Sequence, residues 1–193
     1  AWDTSAVTRM EFTFYQAQAF NQQLVWDTSS VVSMHGTFRD AKAFNQPLAW
    51  DMSKVTNMYG TFYDAQAFNS QLAWDTSSVT NMGHTLANAE AFNRPLDWDT
   101  SQVTRMEYAF ADAKAFNSEL AWDTSSVTNM YGTFLMAKAF NQPLAWDTSS
   151  VTNFDAMVTA RASRLPAART HPCTSASAHR RARPASSRAT SPL

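Results

Sequence analysis

The sequence of 193 residues contains one cysteine, four glycines and no long apolar run, and each shortage excludes a class of protein. The single Cys173 cannot form an internal disulfide or a cysteine-based zinc site. So few glycines exclude a Gly-rich phosphate loop. No apolar run approaches the ~20 residues that cross a bilayer, so we expect no membrane span. No charged and apolar leader precedes Trp2, so we expect no signal peptide in this chain.

Charge divides the chain into two segments. Residues 1–158 hold 8 Lys and Arg against 16 Asp and Glu, whereas residues 159–193 hold seven Arg and no acidic residue. This tail is rich in Ala, Arg, Ser, Thr and Pro and has no aromatic residue, a composition that predicts disorder. Because no aromatic side chain is present to stack on bases, nucleic acid is not favoured as its partner.

Tryptophan recurs with a constant period of 24 residues. The seven copies begin at Trp2, Trp26, Trp50, Trp74, Trp98, Trp122 and Trp146, and the last copy is incomplete. With Trp as position 1, the unit is W-D-T-S-x-V-T-x-M-x-x-T-F-x-x-A-x-A-F-N-x-x-L-x. Self-similarity at a fixed period of this length is typical of a solenoid, which we predict over residues 1–158.

The apolar residues within one unit indicate a helix. Val31, Met34, Phe38 and Ala41 are spaced i, i+3, i+7 and i+10, as on the buried stripe of an amphipathic helix. A polar residue suited to N-capping, Ser29 or Asp27, precedes this stripe. We therefore predict one short helix in each turn.

The end of the unit indicates a strand. Leu48 and Trp50 alternate with a small residue, so both are expected to point inward. Asn45 and Pro47 would form the corner before the strand, because Asn tolerates the left-handed conformation and Pro cannot extend a helix. The predicted fold is an α/β solenoid similar to a leucine-rich repeat, with an all-β solenoid as the alternative.

A ladder of aspartates follows the tryptophans at position 2. Each carboxylate could accept backbone N–H bonds in its own turn, helped by the Ser two residues on, as in an Asx turn. The alternative is a row of calcium sites between turns, which needs further oxygen ligands and usually Gly-rich loops. The calcium ladder would comprise Asp27, Asp51, Asp75, Asp99 and Asp123.

Threonine also forms regular columns, at positions 3, 7 and 12 of the unit. Thr28, Thr56 and Thr61 are examples of the three. Repeated Thr on a flat solenoid face is the known design of ice-binding proteins. The other explanation is that each hydroxyl hydrogen-bonds to nearby backbone.

The positions that vary between copies are expected to face outward. Aromatic and Arg side chains contribute most to interface energies. The predicted partner-contact residues are therefore Arg39, Tyr59, Tyr63, Tyr108 and Tyr131.

The sequence offers no catalytic constellation. His35 and His84 occupy different positions in nonadjacent copies, so neither a His-Ser-Asp set nor a His-based metal site can be argued. We expect no catalytic residue, no cofactor and no enzymatic activity.

Residues 43–51, which read A-F-N-Q-P-L-A-W-D, continue to V-T-N-M at residues 55–58. These blocks, in this order, resemble the repeats of BspA-like leucine-rich-repeat surface proteins, and the resemblance covers residues 1–158. It implies a cell-surface or secreted setting, a role in adhesion or partner binding, and no catalytic residues.

Together these patterns predict a noncatalytic scaffold for protein interaction or cell-surface adhesion. The alternatives are binding to ice or a mineral surface through the Thr and Asp ladders, and a linker subunit inside a larger assembly. No polar capping unit precedes Trp2, so end-to-end association or incorporation into a complex is also expected.

Overall fold

The computed structural model describes residues 2–157, and the predicted disorder of residues 159–193 lies outside them. Successive 24-residue turns stack in register through single parallel bridges at position 8. These bridges pair Arg9 with Ser33, then Asn57, Asn81, Arg105, Asn129 and Asn153 in order. Residues 2–157 contain no helix, and their β-structure is limited to isolated bridges. No helix among them could therefore cross a lipid bilayer.

The predicted helix in each turn is wrong, although its apolar residues are buried. The backbone takes a left-handed φ of 60° at Gly36 and 59° at Asp40, which a right-handed helix cannot accommodate. Successive turns form instead, with the Thr37 N–H donating to the Met34 carbonyl at 3.1 Å. Alternate amides donate to the next repeat, as Gly36 N–H does to the Tyr59 carbonyl at 2.9 Å. A run of turns thus buries the same apolar side chains whose spacing predicted a helix.

The predicted strand does not form either, so the described residues also do not support the all-β alternative. Leu48 and Trp50 do point inward. Side chains connect the repeats on this side: the Trp74 Nε1–H donates to the Leu48 carbonyl at 3.0 Å. Asn45 was expected to be left-handed, but it is not. Its Oδ1 accepts the backbone N–H of Asn69 at 2.8 Å.

Stacked aromatic columns fill the core. Trp26 and Trp50 rings lie 6.1 Å apart with planes 4° from parallel. Phe38 and Phe44 of one turn stack at 4.1 Å, and Phe44 stacks on Phe68 of the next turn at 6.0 Å. Val, Met and Leu columns complete a continuous buried cluster. Each repeat therefore buries its apolar side chains partly against its neighbours, as in other solenoids.

Candidate interaction surface

Position 11 combines aromatic side chains with a strained backbone. Phe12, His84 and Tyr108 all hold a φ of 55° there. Glycine occupies the same position in three other repeats, at Gly36, Gly60 and Gly132. A left-handed residue other than glycine costs roughly 1–2 kcal/mol. A left-handed φ at a residue other than glycine also recurs at position 15, as at Asp40 and Asp64, so the conformation belongs to the repeat itself. The presence of large rings at position 11, where glycine would relieve strain, makes these rings candidates for a role beyond packing.

The position 11 rings belong to a longer row of ring-bearing side chains and one arginine, here named the aromatic stripe. Its members, at positions 10, 11 and 14, are Phe12, Tyr15, His35, Arg39, Tyr59, Tyr63, His84, Tyr108 and Tyr131. Ring centroids are 5.2 Å apart for His35 and Tyr59, 5.1 Å for Tyr59 and His84, and 4.7 Å for His84 and Tyr108. Tyr131 follows Tyr108 at 5.0 Å. Phe12 lies 4.6 Å from His35, so the stripe links six consecutive repeats.

Arg39 supplies a cation within the stripe. Its guanidinium carbon lies 4.5 Å from the ring centroid of Tyr63 and 5.9 Å from that of Tyr15. Its Nε is 3.6 Å from Oδ2 of Asp40. Burial and the neighbouring Asp64 carboxyl raise the pKa of Asp40. This end of the stripe therefore holds a guanidinium between aromatic rings and carboxyl groups.

A buried carboxylate lies beside the stripe in the fifth repeat. Glu107 accepts a hydrogen bond from Arg105 Nε at 3.0 Å and another from Asn129 Nδ2 at 3.2 Å. Gly83 leaves space for it, because a Cβ there would lie 3.0 Å from both Glu107 and Tyr59. The hydrogen bond and charge of Glu107 raise the pKa of Arg105. Glu107 is buried in this ion pair, whereas the Arg105 side chain is largely exposed.

His84 presents a neutral ring to the stripe. Burial lowers the pKa of His84, against the smaller opposite effect of the Glu107 carboxylate. Because the uncharged form is favoured at neutral pH, the ring continues the aromatic surface between Tyr59 and Tyr108.

The structure brings all five predicted contact residues into the stripe. Arg39, Tyr59, Tyr63, Tyr108 and Tyr131 are each half-buried, and their role in binding stays a prediction. The sequence-based selection omitted other stripe members, namely Phe12, Tyr15, His35 and His84. The same criterion of variation between copies could have found them, since they occupy the same positions of the unit.

The aspartate ladder hydrogen-bonds within its own turns. Oδ1 of Asp75 accepts the Ser77 backbone N–H at 3.1 Å and the Ser77 hydroxyl at 2.7 Å. Asp27 and Asp51 make the same pair of bonds. The Asx-turn prediction is confirmed at these residues. The donated bonds lower the pKa of the Asp75 carboxyl.

No group of three or more His, Cys, Asp or Glu within residues 2–157 is arranged to hold a metal ion. The calcium role suggested for Asp27, Asp51, Asp75, Asp99 and Asp123 therefore has no ligand cluster to support it in this part of the chain. Their side chains are exposed and directed to the serine two residues on, or to its N–H.

Two of the three threonine columns are buried. The Thr61 hydroxyl lies 2.8 Å from the Met58 carbonyl and 3.1 Å from that of Met34. The Thr28 hydroxyl donates to the Asp51 carbonyl of the next repeat. Among residues 2–157, only the column of Thr56 is exposed in every repeat, and the Thr56 hydroxyl also bonds to backbone. The broad Thr face expected of an ice-binding protein is therefore absent from these residues.

The sequence matches a described protein family over most of its length. The match covers residues 1–97 and 72–166, so it includes the whole described array. No curated protein and no solved structure shows significant similarity to the chain. The chain belongs to the family described as Mycoplasma protein of unknown function, DUF285.

Proposed function

We propose that this chain is a noncatalytic, BspA-like scaffold that binds protein partners at a cell surface through the aromatic stripe. The observation that carries the proposal is the row of half-exposed rings across six repeats, in which the rings of Phe12, His84 and Tyr108 stand on left-handed backbone. Stability alone would favour glycine at position 11, as at Gly60 and Gly132. The rings at His84 and Tyr108 are therefore better explained by contact with a partner.

The chemistry of the stripe suits protein recognition. Tyr and Arg dominate the residues whose truncation weakens interfaces most. Tyr59, Tyr63, Tyr108 and Tyr131 each combine an apolar ring with a hydroxyl that can hydrogen-bond, and Arg39 adds a charge. The stacked core holds the backbone beneath them in a fixed geometry, which lowers the conformational entropy lost on binding.

Binding to an array of extracellular proteins tests this proposal. The full chain would be compared with a stripe variant carrying Tyr59→Ala, Tyr108→Gly and Tyr131→Ala. A matched control would carry Asp97→Ala and Glu119→Ala, two exposed residues outside the stripe. We expect the stripe variant to lose binding by at least about tenfold, equivalent to 1.4 kcal/mol, while the control retains it. Equal binding by both variants would overturn the proposal.

A further inference from the structure

The acidic array and the Arg-rich tail have opposite charges of similar size. Residues 1–158 contain 8 basic and 16 acidic residues, a net charge of −8, while residues 159–193 carry seven Arg and no acid. The sum is close to neutral, at −1 for the whole chain. Opposite charges on one chain attract at an effective concentration set by the connecting segment.

Arg39 demonstrates how the stripe accommodates a guanidinium. Its guanidinium lies over the Tyr63 ring at 4.5 Å and beside the Asp40 carboxyl. Arg favours this setting because its planar group stacks on aromatic rings and is weakly hydrated. In the later repeats, position 14 carries Ala87 and Ala111 instead of Arg. The rings of these repeats therefore receive no cation from that position.

The last described residue lies next to the later part of the stripe. The Met157 carbonyl accepts the Phe134 N–H at 2.7 Å, which fixes position 12 of the last repeat against its neighbour. Met157, the last described residue, therefore lies beside positions 10 to 14 of the preceding repeat. At about 3.3 Å per residue, 35 extended residues can span on the order of 115 Å. Six steps between repeats cover only about 30 Å.

We propose that the Arg-rich tail, residues 159–193, docks on the aromatic stripe of its own chain, with guanidinium groups over the rings of His84, Tyr108 and Tyr131. The tail is then an internal ligand that covers the surface used for partners. Docking needs no partner, so it can be tested separately from the proposed function.

Cys173 provides the probe, because it is the only cysteine and lies within the tail. A nitroxide on Cys173 of the full chain broadens the NMR signals of nearby amides. We expect broadening at the amides of His84, Tyr108 and Tyr131, and little at those of Asn69 and Asn93. The effect should disappear at 1 M salt, where the Debye length is about 3 Å.

Two variants of the full chain test the two sides of the contact. Changing every tail arginine to Ser should abolish the broadening; these are Arg161, Arg164, Arg169, Arg180, Arg181, Arg183 and Arg188. Tyr108→Gly with Tyr131→Ala should also reduce broadening at His84, although the tail keeps its charge.

Three results would overturn the proposal. The first is the absence of broadening, or broadening that is equal at the stripe amides and at the amides of Asn69 and Asn93. The second is broadening centred on the aspartate ladder near Ser53 and Ser77, which would indicate simple attraction to exposed carboxylates. The third is broadening only between a ¹⁵N-labelled chain and a separate nitroxide-labelled chain, which would place the tail on a second copy.

Discussion

The inner aromatic columns and the outer aromatic stripe run along the same repeats but follow different rules. Inside, Trp26 and Trp50 or Phe44 and Phe68 stack with planes within 4° of parallel. Outside, the planes of Tyr108 and Tyr131 meet at 77°. Inner residues are nearly invariant between repeats, whereas the stripe changes identity from copy to copy. The repeat thus fixes the core and leaves the stripe free to vary.

The two regions also differ in their backbone. Inner rings occupy positions whose conformation any residue can adopt, but Phe12, His84 and Tyr108 stand where glycine would relieve strain. Packing energy explains the inner columns without reference to a ligand. For the outer rings we propose binding as the reason.

Replacing an inner ring should produce the largest effect. Trp74 is buried, and its indole N–H donates to the Leu48 carbonyl. Trp74→Ala should lower the free energy of unfolding by about 3–5 kcal/mol, because it creates a cavity and leaves the carbonyl without its donor. Urea denaturation of the full chain measures it. A loss below about 1 kcal/mol would contradict the packing described for this column.

Alanine substitutions of two glycines at position 11 distinguish the energetic cost of a left-handed backbone from that of a steric clash. A Cβ at Gly60 would have no neighbour within 3.4 Å, whereas one at Gly132 would lie 2.7 Å from the Tyr108 ring. Gly60→Ala should cost roughly 1–2 kcal/mol, the price of a left-handed alanine. Gly132→Ala should cost more. In a Tyr108→Gly background the excess should vanish, and a double-mutant cycle by urea denaturation tests this coupling.

The aspartate ladder should make the array sensitive to acid. Because hydrogen bonds from Ser77 lower the pKa of folded Asp75 below 3.8, its stabilisation is present above about pH 4 and is lost as pH falls through the folded pKa. Asp75→Asn keeps an acceptor without titrating. We expect its melting temperature to fall less than that of the native chain between pH 7 and pH 2, measured by circular dichroism. An equal fall would contradict a role for this carboxylate in acid sensitivity.

The sequence predicted the burial of each turn but not its backbone. Val31, Met34, Phe38 and Ala41 are buried as expected, yet they lie on successive turns instead of a helix. Spacings of three and four residues bury one side of either structure, so periodicity could not distinguish them. The informative signal was the glycine that recurs at position 11, as at Gly36, because it marks a left-handed backbone.

The candidate site was predicted in part. Variation between copies identified Tyr59, Tyr108 and Tyr131, but the grouping of these residues with His84 depends on how one turn lies over the next. That register follows from the bridges at position 8, which a sequence pattern does not specify. The role of Asp40 could not be predicted from its charge alone either, because aspartate at position 15 also tolerates the left-handed φ that the backbone takes there.

The stability of Tyr108→Gly tests the central claim most directly, namely that the stripe is maintained for contact and not for folding. Relief of roughly 1–2 kcal/mol of left-handed strain should offset the lost ring contacts and the added freedom of the unfolded chain. Urea denaturation should therefore give a change in the free energy of unfolding within about 1 kcal/mol of zero. A loss of 3 kcal/mol or more, similar to that expected for Trp74→Ala, would make Tyr108 a packing residue and contradict the account.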